Sequence, residues 1–233
     1  MITTIVNNFK EAFGYYKKGI LPGIIYSILS ILIGFIIIIP LIGPIMWLIL
    51  YSYLFPRITS WYLTKILDIE IKPNHNVATK ILFIVNLPTV ISYYIVLFMI
   101  LSLFSTSIYS IISLSSESNL IYNEGLYYSI WIFIVELVSS IAQIILVIIW
   151  YYNIIGAILG KVDSLKVDIW KSLEVVAYNI LFVVLIIPVV LILILLIIFS
   201  PIIGLLLLII FVVFFVIPYN IVLLATVVKN ISS

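Results

Sequence analysis

Long runs of apolar residues alternate with short polar clusters along the whole chain. A helix needs about 20 residues to cross a hydrocarbon core roughly 30 Å thick. Counted on that scale, the runs predict about six spans, at residues 20–39, 45–62, 81–104, 126–152, 175–199 and 205–228. Two breaks are tight turns rich in proline and glycine: Pro40-Leu41-Ile42-Gly43-Pro44, and Ser200-Pro201-Ile202-Ile203-Gly204. No run alternates with period two as barrel strands do, and backbone in lipid must pair internally, so the runs are expected to be helices. The expected fold is all-α: a polytopic transmembrane bundle forming a single integral membrane domain over residues 1–233.

Composition makes the same point. Hydrophobic residues are 66% of the 233 and charged residues only 9%, with a mean hydropathy of +1.42. Soluble domains carry about 25% charged residues to wet their surface. Soluble enzymes and secreted scaffolds are thereby excluded, and the lipid bilayer becomes the first expected partner. The absence of cysteine removes disulfides, thiolate metal sites and thiol nucleophiles. A net charge of +2 spread along the chain predicts no nucleic-acid partner. Abundant Ile, Tyr and Asn beside scarce Ala point to an AT-rich prokaryotic genome.

The positions of the basic residues predict an orientation. Lys10, Lys17 and Lys18 precede the first span; Arg57, Lys65, Lys72 and Lys80 lie between or at the ends of the second and third. Lys161, Lys166 and Lys171 lie between the fourth and fifth, and Lys229 follows the sixth. With six spans all fall on one side, opposite two uncharged turns and the loop 105–125, whose charges are Glu117 and Glu124. The positive-inside rule makes the basic side cytoplasmic, with both termini there, in the cytoplasmic membrane. No A-x-A site follows the first run, which is too long for a signal-peptide core, so it is expected to be retained.

Two stretches before spans read as cytoplasmic interfacial helices. In the first, Ile5, Phe9, Ala12, Phe13 and Tyr16 share a face opposite Lys10, Lys17 and Lys18. In the second, Leu165, Ile169, Trp170 and Leu173 oppose Lys166 and Lys171. Such helices are expected to lie in the headgroup plane, with Lys10, Lys17, Lys18, Trp170 and Lys171 binding the membrane, or to serve only as anchors of the topology. Trp61, Tyr62, Trp150, Tyr151, Tyr152 and Trp170 fall near cytoplasmic boundaries, as an interfacial belt would. The terminal hairpins also share a pattern, Phe9-Lys10 preceding Pro40-x-x-Gly43 as Trp170-Lys171 precedes Pro201-x-x-Gly204. That pattern is either a parallel duplication or the convergence of two apolar hairpins.

The opening F-K-x-x-F-x-Y-Y-K of Phe9, Lys10, Phe13, Tyr15, Tyr16 and Lys17, followed by hairpins with P-x-x-G turns, resembles archaeal and bacterial six-helix membrane families classed as domains of unknown function. It is similar in layout to the membrane domain joined to some glycerophosphodiester phosphodiesterases. The resemblance implies the six-helix fold; with no phosphodiesterase domain in the chain, that activity does not carry over.

Candidate chemistry is sparse. Glu136 is the acid placed well inside a span, and Ser139, Ser140 and Gln143 follow at helical spacing on its face. An intramembrane acid costs about 2.5–3.5 kcal/mol on insertion scales and is expected to face a cavity or the bundle interior. The set is a candidate polar site with Asn86 and Asn179, for ion or proton binding or for helix packing. Asn153 follows the fourth span and Asn220 lies within the sixth, after Pro218; Pro88, Pro188 and Pro218 interrupt helices. Gly19-x-x-x-Gly23 and Gly156-x-x-x-Gly160 have the spacing that brings helices close. His75 reads as a loop residue near Asp68 and Glu70, and no metal site or cofactor is expected. No Walker loop, catalytic triad or zinc-protease motif occurs, so the chain is not expected to be an enzyme. Two readings stand: a non-catalytic subunit, scaffold or lipid-organising component, partnered by other membrane proteins or a second copy; or a small carrier or channel whose path Glu136 and the amides line.

Overall fold

The structure, a computed structural model, describes residues 2–67, 71–112 and 118–232, apart from the side chains of residues 2 and 106–126. Its elements are α1 (Ile2–Lys18), α2 (Ile20–Phe35), a 3-10 turn (Ile36–Ile38), α3 (Gly43–Ile66), α4 (His75–Ile112) and α5 (Ser118–Ile158). After these come α6 (Ile169–Phe199), α7 (Pro201–Phe211), a π-helical turn (Val212–Val216) and α8 (Ile217–Ile231). Among the described residues there is no strand, as an all-α bundle requires. Local chemistry sets several boundaries. The Asp168 carboxylate accepts the Lys171 backbone N–H at 3.2 Å and so caps α6. Pro201, which has no N–H that would need an acceptor, opens α7 directly after Ser200.

Among the described residues, five helical segments are long and apolar enough to cross a membrane: Ile20–Ile38, His75–Ser105, Tyr127–Ile158, Ile169–Phe199 and Pro201–Ile231. The chain is thus a multi-pass membrane protein, and the expected count of six is corrected to five. The run at 45–62 lies in α3, where Tyr51, Ser52, Tyr53, Pro56, Arg57 and Ser60 dilute the aliphatic residues. Packing rather than hydropathy accommodates this helix, since Ser52, Pro56, Thr59, Ser60, Tyr62 and Leu63 are all buried. α3 returns alongside α2, so that Tyr62 meets Gly23 and Ile66 meets Gly19. At the turn between them Leu41 adopts φ 66°, and the Gly43 N–H closes onto the Ile39 carbonyl at 2.8 Å.

Most of the expected loop 105–125 is helical in the structure, because α4 runs to Ile112 and α5 starts at Ser118. Glu117 lies outside the described residues, as does the side chain of Glu124. With 38 and 41 residues, α4 and α5 are about 57 and 61 Å long at 1.5 Å per residue. Tyr94 of α4 donates to the Leu41 carbonyl at the tip of the α2–α3 hairpin. From that level α4 continues for another 18 residues to Ile112.

The basic residues gather at one end of the bundle. Asn74 N–H bonds the Ala157 carbonyl at 2.8 Å, and Gly160, at φ +70°, lies against the Lys72 carbonyl, where no Cβ would fit. Asn153 Nδ2 donates to the Lys166 carbonyl at 2.8 Å. Lys229 Nζ lies 3.1 Å from Glu11, and Asn230 donates to Asn8 at 2.8 Å. Both terminal segments therefore meet at this end, where the core is also densest: Leu63, Ala157, Ile158, Leu223, Val227 and Val228 are fully buried.

Both expected interfacial helices are revised. α1 does form, but its apolar face packs on protein: Ala12 and Tyr16 are buried, and Phe9 meets Tyr178 of α6 while Phe13 meets Tyr219 of α8. The second stretch is no separate helix; from Ile169 onward it forms the first turns of α6. The aromatic belt is likewise thinner than expected. Trp61 and Trp170 are exposed, whereas Tyr62 and Tyr152 are buried.

Candidate functional site: a polar seam and an aromatic cavity

The polar residues expected on one face of α5 divide between two environments. Glu136 and Ser140 are exposed on the outside of the helix. Around Glu136, the exposed Phe133, Leu137, Val138 and Ile141 form an apolar outer surface. Ser139 and Gln143 turn inward to α4. Ser139 donates to the Pro88 carbonyl at 3.0 Å. Gln143 Oε1 accepts from Thr89 at 2.8 Å, and Gln143 Nε2 donates to Asn86 Oδ1 at 3.3 Å. Asn86, itself buried, donates back to the Leu82 carbonyl at 2.7 Å. Interhelical bonds of this kind hold helices together where lipid offers no hydrophobic drive. The structure thus joins Asn86 to Gln143 and leaves Glu136 apart from both.

Asn179 stands elsewhere, half-buried on α6, its Oδ1 without a hydrogen-bond partner among the described residues. Lys10, Lys17 and Lys18 are exposed on α1, and Lys17 lies over the Phe13 ring at 4.6 Å. Trp170 is 83% exposed, while Lys171 sits 3.7 Å from Asp168. His75 opens α4 rather than lying in a loop; Asp68 and Glu70 are outside the described residues. Gly19 and Gly23 are in contact within the chain, the first against Ile66 and the second against Pro218 and Tyr62.

Behind Asn86 the helices leave a cavity of about 330 Å³. Its walls come from α2 (Tyr26), α3 (Tyr51, Phe55), α4 (Asn86), α5 (Tyr151) and α8 (Asn220), together with aliphatic side chains. The rings are fixed by stacking, Tyr51 on Phe55 at 4.9 Å and Tyr26 on Tyr62 at 5.0 Å between centroids. The sequence marks Asn86 and Asn220 as candidates and Tyr151 only as part of an interfacial belt, and it does not mark Tyr26 or Tyr51. A signal was available: Tyr26 and Tyr51 interrupt apolar runs well away from the ends, where an interfacial role does not account for them.

A second polar cluster fastens α1. Glu11 accepts from Lys229 at 3.1 Å, from Asn230 at 3.2 Å and from Tyr15 at 3.1 Å, and Asn8 donates to the Tyr178 hydroxyl at 2.8 Å. Burial pushes the Glu11 carboxyl upward, but the bonds from Asn230 and Lys229 and the lysine's charge outweigh it, leaving it below the ordinary glutamate value. Apart from Tyr15, the partners lie 170 to 219 residues away along the chain, which makes this cluster invisible to spacing arguments. Compared with family models, curated proteins and solved structures, the chain matches none.

Proposed function

We propose that the protein is a non-catalytic component of a complex in the cytoplasmic membrane, docking a helix of another membrane protein on the outer face of α5. The position of Glu136 carries this reading. Exposed among apolar side chains and hydrogen-bonded to no group among the described residues, it pays the cost of a carboxyl group in an apolar span with no return inside its own chain. A donor on a neighbouring transmembrane helix repays that cost. The basic end then faces the cytoplasm, because lysine and arginine collect on that side, and α1 with both terminal segments lies there. The carrier reading draws no support from Glu136, which faces away from the cavity.

Purification of the tagged protein from native membranes in mild detergent, followed by mass spectrometry, tests the proposal. A stoichiometric membrane partner, lost in Glu136→Leu while the variant keeps its thermal midpoint, is expected. A particle that purifies alone, or a partner retained equally by the variant, overturns it.

A further inference from the structure

We infer that the cavity between α2, α3, α4, α5 and α8 binds a small uncharged molecule that carries a flat ring system and a hydroxyl group. This inference rests on the cavity alone and is independent of Glu136. The volume, about 330 Å³, falls at the lower end of small-molecule sites, which run roughly 300–1,000 Å³.

Charge decides the first property of the ligand. Among the described residues, no Asp, Glu, Lys, Arg or His lines the cavity, so an ionic ligand would lose its hydration without gaining a counter-ion. Hydrogen bonding decides the second. Tyr51 and Tyr151 line the space, and neither hydroxyl bonds a protein group among the described residues. Nor are these hydroxyls sealed off by packing, as the Tyr62 hydroxyl is. The amides are not open to a ligand: the Asn220 Oδ1, without a donor among the described residues, is sealed off as the Tyr62 hydroxyl is, and Asn86 is already committed to Leu82 and Gln143. An alkyl chain in this space would leave the Tyr51 and Tyr151 hydroxyls unpaired, at about 1–3 kcal/mol for each one buried. A ligand hydroxyl can accept from, or donate to, either of these tyrosine hydroxyls and so meets that need. The walls decide the third property: rings of Tyr26, Tyr51, Phe55 and Tyr151 surround the space, and flat aromatic groups pack on such rings with a gain beyond burial alone.

The test uses 2-naphthol, neutral at pH 7, with the full-length protein in lipid nanodiscs and equilibrium dialysis against empty nanodiscs. Saturable binding of one naphthol per protein is expected. Tyr51→Phe and Tyr151→Phe remove one hydroxyl without changing ring shape, and each should weaken binding on the order of tenfold, the equivalent of one hydrogen bond. Val147→Trp fills the space and should abolish binding. Should that variant fail to fold, the two phenylalanine variants decide alone. Uptake no greater than that of empty nanodiscs means the cavity holds only water and overturns the inference. So does affinity unchanged in both phenylalanine variants, or displacement of naphthol by tetraethylammonium, which would mark a cation site.

Discussion

The Tyr16 hydroxyl of α1 donates to the Phe214 carbonyl of the π-helical turn at 2.6 Å, across 198 residues of sequence. Pro218 explains why that carbonyl needs a donor. Proline has no N–H, so the carbonyl four residues earlier, that of Phe214, is left open in the α-helical pattern. Here the register has also slipped to a π turn, the Ile217 N–H bonding the Val212 carbonyl. Broken backbone at membrane depth persists only where a neighbour satisfies it, and Tyr16, buried and edge-on to Phe215 and Tyr219, is that neighbour.

Replacing Tyr16→Phe should therefore cost about 1–2 kcal/mol, since a part-buried carbonyl loses its donor. Thermal unfolding in detergent, followed by tryptophan fluorescence, reads the loss. Pro218→Ala restores a backbone N–H four residues after Phe214, so Tyr16→Phe should cost clearly less in that background. Equal costs in the two backgrounds would mean the hydroxyl acts only through packing, because a double-mutant cycle reports the coupling directly.

The Glu11 cluster predicts a pH dependence. Its carboxyl lies below the ordinary glutamate value of 4.5, so the charged form is the one the fold favours. A depressed folded value gives stability that is present above the unfolded value and lost as pH falls through the folded one. The thermal midpoint of wild type should exceed that of Glu11→Gln at pH 7, and the two should converge below about pH 4. A gap between them that persists at low pH would assign the effect to side-chain shape rather than ionisation.

How much of this could be read from the chain differs by feature. The apolar runs 20–39 and 175–199 coincide closely with α2 and its 3-10 extension and with α6, because lipid demands length and hydropathy, and both are local. The run at 45–62 departs from the span count for the converse reason: α3 is held by burial of Ser52, Thr59 and Tyr62, which local hydropathy does not record. Helical spacing put Glu136, Ser139, Ser140 and Gln143 on one face, but it could not say where α4 would lie. The boundary between Gln143, bonded to Asn86, and Glu136, exposed outside, is set by that packing. For the same reason the face of α1 looked lipid-facing until α6 and α8 were in place to cover it.

The seam between α4 and α5 should be worth a modest but measurable amount. Gln143→Leu removes the acceptor of Thr89 and the donor to Asn86 in a single change. Interhelical hydrogen bonds in membrane proteins average about 0.6 kcal/mol, so a loss of roughly 1 kcal/mol is expected from two of them. Ser140→Ala, one turn away on the exposed side, should leave the thermal midpoint where it is. Equal effects of the two substitutions would remove the seam from the account of how α4 and α5 are held together.

Two glycines should respond in opposite directions to the same added methyl group. A Cβ at Gly23 would stand 2.9 Å from the Pro218 Cβ and 3.0 Å from the Tyr62 hydroxyl. Neither the proline ring nor the buried tyrosine can swing aside, so Gly23→Ala should push α2 away from α3 and α8 and lower stability by about 1–3 kcal/mol, the usual cost of overpacking. Gly14 lies in the interior of α1, and a Cβ there would meet nothing within 4 Å. Alanine holds a helix better than glycine by about 0.5–1 kcal/mol, so Gly14→Ala should stabilise the docked α1. Thermal midpoints of the two variants, measured side by side, decide the matter. A neutral Gly23→Ala would show that α2 can shift relative to Pro218. A destabilising Gly14→Ala would show that its side of α1 is covered by something besides this chain.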